Sequence, residues 1–471
     1  MKILIKGGTI ITASDTFQAD ILVEGEKISA VGRSFSIEPD QIVDAEGKLV
    51  MPGGVDVHTH LELPMFGTVS SDDHYTGHKA AAFGGTTTVL DFISQDVDSL
   101  EECVRLWHAK ADHKAAVDYS FHMNVSKFDE SIANQIPHLK DHGINSMKVF
   151  TAYNNRLRLG DGYIFKVMRI AKRHGMLVMV HCENGDVIDV LVNEALHSGR
   201  MSPIWHARTR PAAGAVESVF RAIRLAEMAD SPVYIVHMNT KGGAEQVREA
   251  RLSGMPVMGE TCPQYMFFTD EKLEQEDGSR WVCSPPLRSE EDREGIWKAV
   301  EDGTMQVIAT DHCPFFYEGS KSIKYEGKEI AIPGKELGRD DFTKIPNGLP
   351  GIGDRLMVLW TYGVLANRIS PNQFVNITST NPAKIFGLYP QKGTLQPGSD
   401  ADITIWDPEK EIVYGVDTAR HRTDHNLYES WKVKGVVEKV FLRGKQIVDG
   451  EKWFGEPGGG KFIFRKEITV I

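Results

Sequence analysis

Met176-Leu177-Val178-Met179-Val180-His181 is an apolar run of strand length that ends in a histidine, set between stretches of helical period. Residues 164–173 before it and 215–228 after it carry apolar side chains at helical spacing. The unit recurs along the chain. Short apolar runs at 86–92, 116–122, 146–150, 177–181, 233–237, 256–260 and 306–310 alternate with helical stretches that also include 243–252 and 291–300. Strand–helix alternation sustained in this way builds a parallel sheet with helices around it. The number of units fits a closed α/β barrel, a TIM-like (β/α)8 barrel, better than an open doubly wound sheet, which stays as the alternative.

The two chain ends read differently. Residues 2–5, 9–12, 20–23, 27–31 and 41–44 form short alternating strands, with Gly7-Gly8 and Glu24-Gly25-Glu26 as turns. The same character returns at 402–406 and 436–442, and Ile3–Ile11 and Val440–Val448 share a strand–turn–strand pattern. Two such segments at opposite ends can pair into one layer. The expected organisation is therefore a β-sandwich begun by residues 1–52, a barrel over 53–385, and 386–471 returning to the sandwich and ending in a tail. Polar loops are expected at 269–280 and 317–341.

Composition narrows the partners. Lys and Arg number 53 against 65 Asp and Glu in 471 residues, a formal net charge of −12. That disfavours nucleic acid and anionic membranes, both of which call for a basic surface. No apolar run approaches the ~18 residues of a transmembrane helix, and the opening residues read as a strand and turn rather than a signal peptide. Cys103, Cys182, Cys262, Cys283 and Cys313 are odd in number and lack CxxC spacing, so neither a disulfide framework nor a thiolate zinc site is expected. A cytoplasmic protein with a small-molecule substrate fits these features.

The chemistry gathers at strand ends. In Val55-Asp56-Val57-His58-Thr59-His60, strand alternation sends Asp56, His58 and His60 to one face, where two imidazoles can share a metal. Alone this is weak, since about 0.6 His-x-His pairs arise by chance at this histidine content. The weight comes from His181, His237 and Asp311, each closing an apolar run, and from Lys148 inside another. A lone buried histidine is usually a core residue with a satisfied hydrogen bond, but these all fall where barrel active sites are built. Imidazole and carboxylate without thiolate suit Zn2+ first, then Mn2+, Co2+ or Ni2+. Four histidines and an aspartate exceed what one catalytic ion needs, which points to two. A buried lysine loses its proton readily, and the neutral amine can take up CO2 to become a bridging carbamate. Spacing alone does not choose between that and an exposed or salt-bridged Lys148.

At this point the chain resembles the cyclic amidohydrolases, most closely the dihydropyrimidinase/D-hydantoinase family. The resemblance spans nearly the whole sequence and rests on several motifs. They are Gly53-Gly54-Val55-Asp56-Val57-His58-Thr59-His60, Phe83-Gly84-Gly85-Thr86-Thr87-Thr88, Lys148-Val149-Phe150-Thr151-Ala152-Tyr153 and Val180-His181-Cys182-Glu183-Asn184-Gly185-Asp186. Further along come Gly259-Glu260-Thr261-Cys262-Pro263-Gln264-Tyr265, Cys283-Ser284-Pro285-Pro286-Leu287-Arg288, Thr310-Asp311-His312-Cys313-Pro314 and Pro346-Asn347-Gly348. The resemblance implies a barrel with a sandwich from both chain ends, a binuclear centre and a homotetramer. In that pattern His58, His60 and Asp311 hold one metal and His181 and His237 the other, with carboxylated Lys148 and a hydroxide bridging them. Tyr153 polarises the scissile carbonyl, Asp311 shuttles the proton, and Ser284 and Asn347 bind the ring amides. The reaction implied is opening of dihydropyrimidines and 5-substituted hydantoins to N-carbamoyl amino acids.

Two features depart from related patterns. Dihydroorotases and allantoinases place an arginine shortly after the His-x-His, whereas here Leu61-Glu62-Leu63-Pro64-Met65-Phe66 follows. Leu63, Met65 and Phe66, facing Phe150, suit an uncharged ring with an apolar substituent. The 317–341 loop is long for the family and bears on how the pocket is covered. Scaffold proteins of the same fold lack metal ligands, but all six positions are filled here. His312 should face away from Asp311 and serve structure.

Overall fold

The computed structural model describes residues 1–65, 67–325 and 327–471. Its centre is an eight-stranded parallel sheet in sequential order: β1 (Gly54–Thr59), β2 (Thr86–Ile93), β3 (Asp118–Asn124), β4 (Ser146–Phe150), β5 (Leu177–His181), β6 (Val233–Ile235), β7 (Val257–Thr261) and β8 (Val307–Ile308). Inward residues such as Leu90, Leu177, Met179, Tyr234 and Met258 fill the barrel, while the alternate set, including Val89, Val178, Val180 and Val257, packs against the surrounding helices. That division is the period-2 strand pattern closed into a ring. The helices Asp161–Arg173, Ala212–Ala229, Lys241–Leu252 and Glu290–Glu301 extend the helical stretches expected from the sequence by one to three residues at their starts. Asn184, Thr240 and Ser289 cap their helices by accepting from Val187, Gly243 and Asp292 backbone N–H groups at 3.1–3.2 Å.

Ladder hydrogen bonds join β1 to β2 and so on round to β8, and an isolated backbone bridge together with side chains completes the ring. Thr59 bridges to His312, and the His60 N–H donates to the His312 carbonyl at 2.8 Å. Asp56 accepts from the Thr310 N–H at 3.2 Å and from its hydroxyl at 2.6 Å. Arg355, fully buried, donates to the Val55 carbonyl at 3.1 Å, the Ile308 carbonyl at 2.8 Å and the Thr86 hydroxyl at 3.0 Å. One guanidinium thus spans β8, β1 and β2.

Both chain ends build a nine-stranded sheet. Leu49–Pro52 joins its halves, running antiparallel to Ile403–Val413 on one side and parallel to Lys2–Ile11 on the other. The sheet curls around Ile3, Ile21, Val50, Ile403 and Phe441. The expected turn at Gly7-Gly8 is instead a bulge inside one continuous strand: pairing with Thr16–Glu24 shifts between Ile5 and Gly8, and Gly7 sits at φ 75°. A glycine in the left-handed region accommodates the extra residue without breaking the strand. Beyond the sheet, the tail crosses the barrel floor. Ile463 N–H donates to the Tyr119 carbonyl at 2.7 Å, Ile463 joins the interior core, and buried Arg465 donates to Ser146 Oγ at 2.8 Å.

The 317–341 segment is not an open loop. It holds a hairpin of Lys321–Tyr325 and Lys328–Ile332, with Ile323 and Ile332 packed on Phe316. Buried Lys335 follows it and donates to the Val282 carbonyl at 2.8 Å, anchoring the excursion to the segment before Ser284. The five cysteines are free and buried. Among the described residues, no helix is long and apolar enough to cross a membrane.

Removing the guanidinium would strand two buried carbonyls. Arg355→Met is expected to lower stability by about 3 kcal/mol, the scale for breaking a buried charge network, read as a fall in the urea midpoint. A midpoint within error of the parent protein would show that the ring closes without it.

Candidate active site and metal centre

The C-terminal ends of the barrel strands bring the sequence-selected residues together. Nε2 of His58 and Nε2 of His60 each lie 3.1 Å from Oδ1 of Asp311. One donor atom from each of these three residues falls within 4.8 Å of the others, a group able to hold a metal ion. Beside it, His181 Nδ1 stands 3.0 Å from His237 Nε2. Lys148 Nζ lies 2.9 Å from His58 Nε2 and over the Phe92 ring at 4.4 Å from its centre. Lys148 is buried, and no carboxylate pairs with it among the described residues.

Strand parity explains most of this placement, and one irregularity corrects it. Pairing of β1 with β2 shifts between Asp56 and Thr59, so a bulge breaks the alternation expected for Asp56, His58 and His60. The two histidines reach the centre. Asp56 turns instead to Thr310 at the ring closure. The runs carrying His237 and Asp311 end as strands at Ile235 and Ile308, short of the lengths expected, and His237 and Asp311 beyond them take left-handed backbone at φ 39° and 52°. Tyr153, at φ 65°, does the same after β4. Non-glycine residues held there cost on the order of 1–3 kcal/mol each and gather where function fixes them. His312 points away, bonded to Asp72 Oδ2 at 3.1 Å and accepting from the Gly351 N–H at 3.1 Å.

Two carboxylates missed in the sequence reading orient the imidazoles. Glu260 binds His58 Nδ1 and also accepts from the Tyr234 hydroxyl at 2.9 Å, and Glu183 Oε2 holds His181 Nε2 at 2.8 Å. The signal for Glu260 was present: it shares the inward parity of Met258 in an otherwise apolar run. With those nitrogens engaged, His58 Nε2 and His181 Nδ1 present lone pairs inward.

The electrostatics call for a cation. Burial holds the His60 imidazole down to about 4 and the His237 imidazole well below its usual range, so both favour the neutral form. Burial also pushes Lys148 down to about 8. Asp311 stays far below the usual carboxylate range despite burial, held there by His58 and His60. His237 Nδ1 and His60 Nδ1 are buried without partners among the described residues. The neutral imidazoles of His60 and His237 and the Asp311 carboxylate, with His58 drawn above its usual range by Glu260 and Asp311 against the effect of burial, form a donor set that fits divalent metal.

A cavity of about 470 Å3 opens from this centre. Leu63, Met65, Phe150, Tyr153, Ser284 and Asn347 all line it. Ser284 Oγ accepts from Asn347 Nδ2 at 3.0 Å, and Tyr153 packs on His181 with ring centres 5.3 Å apart. Phe66 lies outside the described residues.

A barrel whose strand ends collect imidazoles and a carboxylate around a cavity is the framework of the metal-dependent amidohydrolases. The chain belongs to that family: the amidohydrolase family model matches residues 49–447. A D-hydantoinase of Geobacillus stearothermophilus is 43% identical, covering 100% of this chain and 98% of its own. A D-hydantoinase of Streptomyces coelicolor is 40% identical, covering 100% and 99%. The crystal structure of dihydropyrimidinase from Brevibacillus agri NCHU1002 superposes with TM-score 0.95 at 43% identity, covering 100% of both chains.

Glu260→Gln keeps the shape but replaces the carboxylate behind His58. Metal affinity is expected to fall about 10- to 100-fold, measured by competition with a chromogenic chelator. Unchanged affinity would make Glu260 a packing residue.

Proposed function

We propose that the protein is a hydrolase that opens the cyclic amide bond of dihydropyrimidines and 5-substituted hydantoins, yielding N-carbamoyl amino acids. The observation that carries this is the shared cavity: His58, His60, Lys148, His181, His237 and Asp311 meet at one end, and Tyr153, Ser284 and Asn347 line the same space. The relatives' names point to the same substrates.

His58, His60 and Asp311 would hold one divalent ion and His181 and His237 a second, with Zn2+ favoured by the donor types and Mn2+ or Co2+ able to replace it. When bound, the ions supply the Lewis acidity that makes hydroxide from water near neutral pH. Lys148 fits the bridging position as a carbamate. Its depressed pKa leaves about a tenth of it neutral at pH 7, far more than an ordinary lysine, and that amine adds CO2 with release of one proton. The carbamate then presents an anion where a free ammonium would repel cations.

The remaining steps belong to the chain itself. Asp311 accepts the proton of the attacking hydroxide and passes it to the departing ring nitrogen. Burial holds the Tyr153 phenol far above its usual range, so it stays protonated and donates to the scissile carbonyl oxygen as charge develops there. Ser284 and Asn347 engage each other through their side chains and leave peptide groups to read the ring amides. Leu63, Met65 and Phe150 receive the apolar part of the 5-substituent.

The free, buried cysteines fit a cytoplasmic setting. Phe220, Met228 and Leu252, exposed on packed helices, fit burial between subunits of a homotetramer, which light scattering would measure directly.

The purified protein, before and after chelation, is to be tested on dihydrouracil, 5-phenylhydantoin, dihydroorotate and allantoin. Chelator-sensitive opening of the first two is expected; activity confined to the last two would overturn the substrate assignment. Lys148→Ala should lose metal and activity, with partial rescue by short-chain carboxylic acids, and full metal occupancy would contradict the bridge. Tyr153→Phe should lower kcat about 100-fold while metal content holds; unchanged turnover would remove Tyr153 from the reaction.

A further inference from the structure

The cavity has two unlike walls. Leu63, Met65, Phe150 and Leu157 supply apolar surface. The ends of β2 and β3 supply the other wall, where Ser94, Gln95, Asp96, Asn124 and Ser126 line the space. Within it, Gln95 and Asn124 are 5% and 7% exposed. Gln95 Oε1 accepts from the Ser126 and Lys127 N–H groups, both at 2.9 Å. Those two donors fix the orientation of the amide, since its oxygen has to face them. Nε2 is left as a buried donor without a partner, and Asn124 Oδ1 is a buried acceptor without one, among the described residues. Neither has a role in the metal centre or in the reaction derived above. Asn124 pairs with Lys148 across β3 and β4, so this wall adjoins the reacting end of the cavity.

We propose that Gln95 and Asn124 form a subsite for a neutral primary carboxamide carried on the substrate's 5-substituent, an inference that rests on the hydantoin-opening reading. A carboxamide offers one acceptor and a pair of donors, matching the free donor and the free acceptor in the wall. An alkyl group leaves both unpaired, which binding sites built for polar groups penalise. A carboxylate offers acceptors only, and Asp96 on the same wall opposes its charge.

The test compares kcat/KM for unsubstituted hydantoin, 5-(2-carbamoylethyl)hydantoin, its alkyl isostere 5-(3-methylbutyl)hydantoin and 5-(2-carboxyethyl)hydantoin. The carboxamide is expected to exceed both the isostere and the carboxylate about tenfold, the yield of two modest hydrogen bonds. Gln95→Glu keeps the oxygen that Ser126 and Lys127 need and deletes the donor; it should lower the carboxamide-to-alkyl ratio to about threefold, the share of the one hydrogen bond left to Asn124. Asn124→Ala should lower the same ratio. Each ratio is taken within one enzyme, so a general loss of folded or metal-loaded protein cancels. If no hydantoin is opened, the underlying reading fails and the subsite with it. If hydantoin is opened but the carboxamide has no advantage, or both variants keep the parent ratio, the subsite alone is refuted. Metal loss in Asn124→Ala with an unchanged ratio would assign Asn124 to Lys148 instead.

Discussion

Closing a parallel sheet into a ring is the constraint on which the rest of this molecule depends. β8 contributes only Val307 and Ile308 to the ladder, so the join to β1 is carried by the backbone contacts of Thr59 and His60 with His312 and by Asp56, Thr310 and Arg355. That join also sets the distance between His58, on β1, His60, just after it, and Asp311, just past β8. The first metal group is therefore assembled across the least regular boundary of the barrel. A fully buried guanidinium is costly unless its protons are met. Here three of its contacts lie on three strands, and the same side chain that closes the ring holds the ligands in register.

The site is a second balance of buried charge. Lys148 lies among aromatic rings and imidazoles with no paired carboxylate among the described residues, a poor place for an ammonium and a good one for an amine. Glu260 and Glu183 sit behind the histidines rather than beside the lysine, so negative charge orients donors without occupying the centre. The left-handed backbones of Tyr153, His237 and Asp311 show where the chain has been bent to aim side chains at the cavity. Such bends persist because the strands and helices around them are tightly packed.

Much of this was legible in the sequence because barrel chemistry falls at the ends of apolar runs. His181, His237 and Asp311 each close such a run, and inward parity carries Lys148 and Phe150 with them. What local pattern could not show depends on partners distant in sequence. Gly7-Gly8 looks like a turn until Thr16–Glu24 pairs across it and makes it a bulge. Asp56 obeys alternation until the bulge in β1 turns it toward Thr310. The 317–341 segment reads as polar loop because its hairpin buries few residues, chiefly Ile323 and Ile332. Arg355 gives no periodic signal at all, since a lone arginine in an apolar helix acquires meaning only from three strands far upstream.

The tail that crosses the barrel floor has a consequence for synthesis. Ile463 and Arg465 fill positions among residues of β3 and β4, yet they emerge from the ribosome long after those strands. Until they arrive, the inner end of the barrel stands open, with the Tyr119 carbonyl lacking its partner and the interior apolar layer uncovered. The curled sheet waits in the same way, because Leu49–Pro52 needs Ile403–Val413 to complete it. Vectorial folding is thus held back until the final segment is free. A nascent chain stalled before residue 460 would carry all eight barrel strands and still present itself to chaperones and proteases as unfinished.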